Sequence, residues 1–129
     1  MLIAGLVLAA IGALVHVSIF VLESVLWRSE RARRIFGTTA EEAGVTAALA
    51  LNQGFYNLFL AVEVVAGIVL VAAGACTIGY TAVLIGTGSM VAAGTVLIVS
   101  DRSKARPALV QAVPPLLSVV LIVIGLLAS

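Results

Sequence analysis

The chain opens on an apolar run from Leu2 to about Leu26, broken at His16, Ser18 and Glu23 and closed by Trp27 beside Arg28. A run of that length exceeds the ~20 residues that carry a helix across a bilayer, and a Trp at its end is an interface anchor. Residues 27–44 then change character. Arg28, Arg31, Arg33 and Arg34 mix with Glu30, Glu41 and Glu42 around Ile35 and Phe36, the pattern of a polar loop containing a surface-lying amphipathic turn. Thr38 and Thr39 ahead of Glu41 and Glu42 predict a helix start, with a threonine cap and an acidic first turn. A second apolar run covers about 45–73 and is long enough to tilt or to project beyond the lipid. After a short uncharged turn at 74–79, a third run spans about 80–99, where Ala82, Gly86, Gly88, Ala92 and Gly94 offer small residues for close helix approach. A tight polar link at 100–106 carries Arg102, Lys104 and Arg106, and Pro107 suits the first turn of a fourth run reaching Leu127.

The pattern predicts an all-α membrane protein: an antiparallel four-transmembrane-helix bundle forming one domain over 1–129, with helices at about 2–26, 45–73, 80–99 and 107–127. Composition agrees, because 10% charged residues cannot clothe a water-facing globule, which carries roughly 25%. The net charge of +1 matters less than its placement. All seven Lys and Arg fall in the segments 27–44 and 100–106, and the remaining segments have none. The positive-inside rule makes those two loops cytoplasmic and sets both termini outside the cytoplasm. It also argues against insertion in two orientations. The Arg cluster is otherwise a contact for anionic lipid. The N-terminal run lacks a basic leader and is too long for a signal peptide, so it reads as a retained helix. Cys76 is the only cysteine, which excludes an internal disulfide and any thiol chemistry that needs a pair.

Ionisable groups inside a span are costly, and by default they suggest function. At about 100° per residue, His16, Phe20, Glu23 and Trp27 share one face of the first helix, while Asn52, Tyr56 and Glu63 share one face of the second with Gln53 and Asn57 to one side. These faces are expected to point at each other. Counting depth from the charged ends puts Glu23 near Asn52, Gln53 and Gln111. It puts His16 near the midplane beside Tyr56, Asn57 and Ser89 or Ser118, and Glu63 toward the outer surface. The prediction is a polar chamber in the cytoplasmic half, with His16 as its floor. Pro114 and Pro115 free the carbonyls of Val110 and Gln111 from their helical partners and add acceptors to that layer. The plainer reading is that these side chains are adhesive contacts between helices, above all for Asn52 and Gln53, with the glycines as packing positions and Cys76 inert.

The stretch His16 to Glu23 with Trp27 and Phe36, the hexapeptide Asn52-Gln53-Gly54-Phe55-Tyr56-Asn57 with Phe59-Leu60-Ala61, and Gln111 with Pro114-Pro115 before a closing apolar run resemble the bacterial membrane family called domain of unknown function 1304. The resemblance covers nearly the whole chain. It implies a small four-span protein of a bacterial plasma membrane, and no activity comes with it. In that pattern a small residue usually stands where this chain has Glu63, which sets Glu63 apart from the shared set.

Three functions are compatible with these residues. The leading expectation is a small-molecule transporter or permease component in which Glu23 exchanges a proton for a solute and His16 with Tyr56 relays or binds. Small multidrug exporters share four spans and a membrane-embedded Glu in the first helix, an analogy of architecture alone. Four helices barely enclose a path, so a homodimer is expected. The second is an intramembrane enzyme on a lipid or isoprenoid, with Glu23 and His16 as an acid and base about 10 Å apart along the axis. The third is a non-catalytic assembly partner. A single His disfavours haem, and no metal-ligand cluster, phosphate loop or nucleic-acid-binding feature is present in the sequence. No cofactor is expected, and the partners are the lipid bilayer and a small-molecule or lipid ligand.

Overall fold

A computed structural model describes residues 1–128. Helix α1 (Leu2–Phe20) continues through one π-helical turn at Val21–Val25. Two short helices follow, α2 (Glu30–Phe36) and α3 (Ala40–Val45), and then the long helices α4 (Ala47–Ala72), α5 (Cys76–Ser100) and α6 (Ala105–Leu127), the last two joined by a 3-10 turn at Arg102–Lys104. Among the described residues there is no strand. Four segments, Leu2–Val25, Ala47–Ala72, Cys76–Ser100 and Arg102–Leu127, are long and apolar enough to cross a membrane. The turn between α4 and α5 is shorter than the uncharged pattern suggested: Gly74, at φ 88°, reverses the chain, and α5 starts at Cys76 rather than near Tyr80.

The long helices close into an antiparallel ring in which α1 packs between α4 and α6, and α5 closes the other side against the same two helices. Lipid is as apolar as a leucine side chain, so burial from water does not drive this association; close packing does. Each seam accordingly carries glycine. A methyl group at Gly12 would come within 2.9 Å of the Pro115 ring, one at Gly67 within 2.8 Å of the Gly79 carbonyl, and one at Gly94 within 2.7 Å of Ala112. A core of Ala9, Ala13, Ala61, Val64, Val83, Met90 and Ile122 fills the centre. Ser118 ties α6 to α1 by donating its hydroxyl to the Gly5 carbonyl at 2.8 Å.

Both charged loops lie at the same end of the bundle. Lys104 Nζ donates to the Phe36 carbonyl, the Phe36 ring rests on Trp27 with centroids 5.2 Å apart, and Trp27 Nε1 donates to Thr46 Oγ1 at 3.2 Å. Helix α2 is thereby laid across the end of the bundle. Ser29 caps its start, and Gly37, at φ 65°, ends it. Helix α3 begins with a capping box in which Thr39 and Glu42 satisfy each other's backbone amides.

Candidate functional site

Beneath α2, at the charged end, the bundle opens into a chamber of about 530 Å³. Its apolar walls come from Val15, Ile19 and Leu22 of α1, Ile35 and Phe36 of α2, Leu97 of α5, and Pro107 and Val110 of α6. Its polar groups are few: Glu23, Asn57 and Gln111 within the spans, Ser18, and Arg34 with Arg106. An apolar chamber with a handful of convergent polar groups is the usual form of a small-molecule site.

Glu23 lines the chamber from within the π turn. In that turn Leu26 N–H bonds to the Val21 carbonyl at 2.9 Å, one residue further back than an α-helix would pair, and such widened turns recur at functional sites. Gly54 of α4 fits against the turn so tightly that a methyl there would overlap Ser24 Oγ and press on Glu23 Cβ at 3.2 Å and the Phe20 carbonyl. Ser24 in turn donates to the Leu51 carbonyl at 3.2 Å. Asn57, one helical turn beyond Gly54, donates its amide to Glu23 Oε2 at 3.0 Å and to the Gln53 carbonyl at 3.1 Å. Antiparallel geometry brings the side chains together: Cα–Cβ bonds lean toward a helix's own N-terminus, so Glu23 leans inward along α1 while Asn57 and Gln111 lean outward toward the charged end. Gln111 is only 9% exposed and has no hydrogen-bond partner among the described side chains and backbone, so its amide is left to face the chamber it lines. No cationic side chain pairs with Glu23, and no cluster among the described residues has the makings of a metal site.

The predicted chamber therefore has a different membership from the one drawn from helix periodicity. Glu23, Asn57 and Gln111 are in it. Asn52, Gln53 and Tyr56 are not: all three are exposed on the outside of the bundle, Tyr56 by 62%. They lie off the seam that Gly54, Ala61 and Val64 turn inward, and backbone approach at those small residues, not polarity, sets the rotation of α4. His16 is not the floor either. It is fully buried in the packed core, with Nδ1 donating to the Gly12 carbonyl at 2.9 Å and Nε2 left without a partner. Leu2 abuts Gly125, Gly5 abuts Ile122 and Gly12 abuts Pro115, so equal steps along α1 and back along α6 set His16 level with Gln111. It lies behind the chamber wall, and the expected acid–base pairing of His16 with Glu23 across one substrate is not assembled. Of its expected neighbours, Ser118 is engaged with Gly5 and Ser89 is exposed. Pro114 and Pro115 sit inside an unbroken α6, with Pro115 buried against Gly12, so their first role is packing. Periodicity missed the π turn, Gly54 as its support, and the covering of the chamber by Arg34, Ile35 and Phe36. The glycine within a polar hexapeptide was the one available signal.

A family model described as a protein of unknown function, DUF1304, matches residues 10–123, which hold every residue of the chamber. Neither the curated proteins nor the solved structures contain a match.

Proposed function

The chain belongs to that family, and we propose that this member is a multi-pass membrane protein that binds a small amphiphilic solute in the chamber, as a transporter or permease component, with Glu23 as its proton-binding group. One observation carries the reading. Glu23 is a carboxyl within a membrane span that lines a chamber, and its single side-chain partner is a neutral amide, leaving its other oxygen free for a solute or a proton. An intramembrane carboxyl used only for adhesion would be expected to be closed off by its neighbours. The chamber's apolar walls suit an uncharged or lipid-like body, and the Gln111 amide offers a donor and an acceptor to its polar end. Because all seven Lys and Arg lie in the two loops at the chamber's end, the positive-inside rule supports a chamber open to the cytoplasmic side of a bacterial plasma membrane. The packed core of Val64, Val83, Met90 and Ile122 closes the other side, which suits the resting, one-sided state of a carrier.

The test is flux. Proteoliposomes holding a trapped pH indicator, supplied with a panel of short-chain carboxylates and amines, are expected to show solute-dependent proton movement with the wild-type chain and at least a tenfold slower rate with Glu23→Gln. Equal rates in the two would remove Glu23 from the mechanism. No solute-dependent movement across the panel would remove the transport reading.

A further inference from the structure

Helix α4 is the least covered of the four spans. Only 17% of its most apolar stretch is buried in the bundle, against 28% in each of the other three. Its uncovered face carries Asn52, Tyr56, Phe59 and Glu63, which recur at helical spacing on one side. Asn52, Tyr56 and Phe59 are exposed and Glu63 is half-buried. Among the described residues, none of the three polar side chains finds a hydrogen-bond or ion-pair partner. Their depth makes this costly. The Trp27–Thr46 bond marks the interface at the charged end. Tyr56 lies about ten residues further along α4, ~15 Å by helical rise, and so near the middle of a hydrocarbon layer ~30 Å thick. Glu63 lies two turns beyond it, ~25 Å from the charged end and so toward the outer surface, where a half-buried carboxyl still within the layer is stabilised by a partner.

We infer that this face of α4 is the interface of a homodimer, formed with a second copy of this chain about a two-fold axis along the membrane normal. The choice of occupant follows from the chemistry of the stripe. Two copies inserted with the same orientation and related by that axis bring each residue level with itself. A group can be satisfied in such an interface only if it is complementary to its own kind. Asn52 qualifies, because a carboxamide both donates and accepts; Tyr56 qualifies through its phenol; and Glu63 qualifies because a carboxylic acid group can both donate and accept. A cationic partner would answer the single carboxyl of Glu63 alone, whereas Asn52 and Tyr56 call for groups that both donate and accept, which a second copy supplies at each level. Lipid alone would leave all three groups unsatisfied. The exposed Phe59 ring, between Tyr56 and Glu63, supplies apolar contact at the centre. These residues lie outside the chamber, so this inference stands or falls separately from the transport reading.

The experiment uses the full chain in lipid bilayers. With Cys76→Ser removing the lone thiol, Phe59→Cys places a cysteine at the centre of the stripe, and Val120→Cys on α6 places one on another exposed face as a control. Oxidation is expected to give a disulfide-linked dimer at position 59 and monomer at position 120. In a fluorescence-transfer measurement on the same chain diluted in lipid, Glu63→Leu is expected to weaken dimerisation roughly threefold, the value of an average interhelical hydrogen bond in a membrane (~0.6 kcal/mol). Asn52→Leu should do the same, while Glu63→Gln, which remains complementary to itself, should dimerise like the wild type. A monomer at every lipid dilution, equal cross-linking at positions 59 and 120, or dimerisation unchanged by Glu63→Leu and Asn52→Leu together would each overturn the inference.

Discussion

Two residues on α4 show how closely the chamber depends on single atoms. Gly54 stands where α4 crosses the π turn, and the space for a methyl is already taken by Ser24 Oγ, with the Phe20 carbonyl in tight contact at 3.2 Å. Gly54→Ala is expected to destabilise the bundle by about 1–3 kcal/mol, the usual cost of overpacking, because Ser24 Oγ must leave its bond to the Leu51 carbonyl to make room. Gly44→Ala is the matched control: nothing lies within 4 Å of a methyl there, so it should be neutral or slightly stabilising through helix propensity. Thermal unfolding in micelles separates the two, and equal midpoints would contradict the packing account. Asn57 is tied to Glu23 by one bond between side chains on different helices. A double-mutant cycle with Glu23→Leu and Asn57→Leu should therefore return a coupling of about 0.6–1.7 kcal/mol, the range found for hydrogen bonds between membrane helices. Strictly additive losses would mean that the bond contributes nothing.

At the scale of whole elements, length and apolarity made the four spans legible, because lipid forces every backbone group of a crossing segment into its own helix. The capping signal at Thr39 to Glu42 was legible for an equally local reason, and the box is present. It also has a pH dependence of known sign. The Thr39 N–H that Glu42 accepts at 2.7 Å holds the Glu42 carboxyl below the ordinary glutamate range, with Lys104 adding to the effect. A carboxyl lowered in this way stabilises the fold above its unfolded value and loses that contribution as pH falls through the folded one. Amide protection in the first turn of α3, corrected for the intrinsic exchange rate at each pH, should consequently fall on acidification below the ordinary glutamate value, and in Thr39→Ala at all pH values. Exchange in Thr39→Ala that matched the wild type would rule out the cap as the cause. The rotation of α4 was not legible. Periodicity states which residues share a face, and it grouped Asn52, Tyr56 and Glu63 together, but it does not say which face turns inward. Polarity argued for one side, and close approach at Gly54, Ala61 and Gly67 took the other. The π turn was hidden for a similar reason, since one extra residue in a turn leaves no mark in an apolar run and is stabilised by what packs against it.

For the molecule as a whole, the two ends differ as sharply as the two faces of α4. One end gathers both charged loops, the α2 cover and the chamber; the other has the short Ala73–Ala75 turn, the start of α1 and the end of α6, without a basic side chain among the described residues. Translocating the first end would drag seven cations across the bilayer, and the positive-inside rule therefore predicts a cytoplasmic placement for it. The lone cysteine makes this directly testable. Cys76 opens α5 at the uncharged end and is exposed, so it serves as a natural orientation probe. In intact cells of a bacterial host, a membrane-impermeant maleimide is expected to label Cys76 fully without permeabilisation, and a cysteine placed at Ser103, in the exposed turn before α6, is expected to react only after the cells are opened. The reverse pattern would invert the bundle, and with it the side from which the chamber is reached. Half-labelling at both positions would instead mean that the chain inserts both ways. That would also remove the premise that neighbouring copies share an orientation, on which matching Glu63 with Glu63 depends.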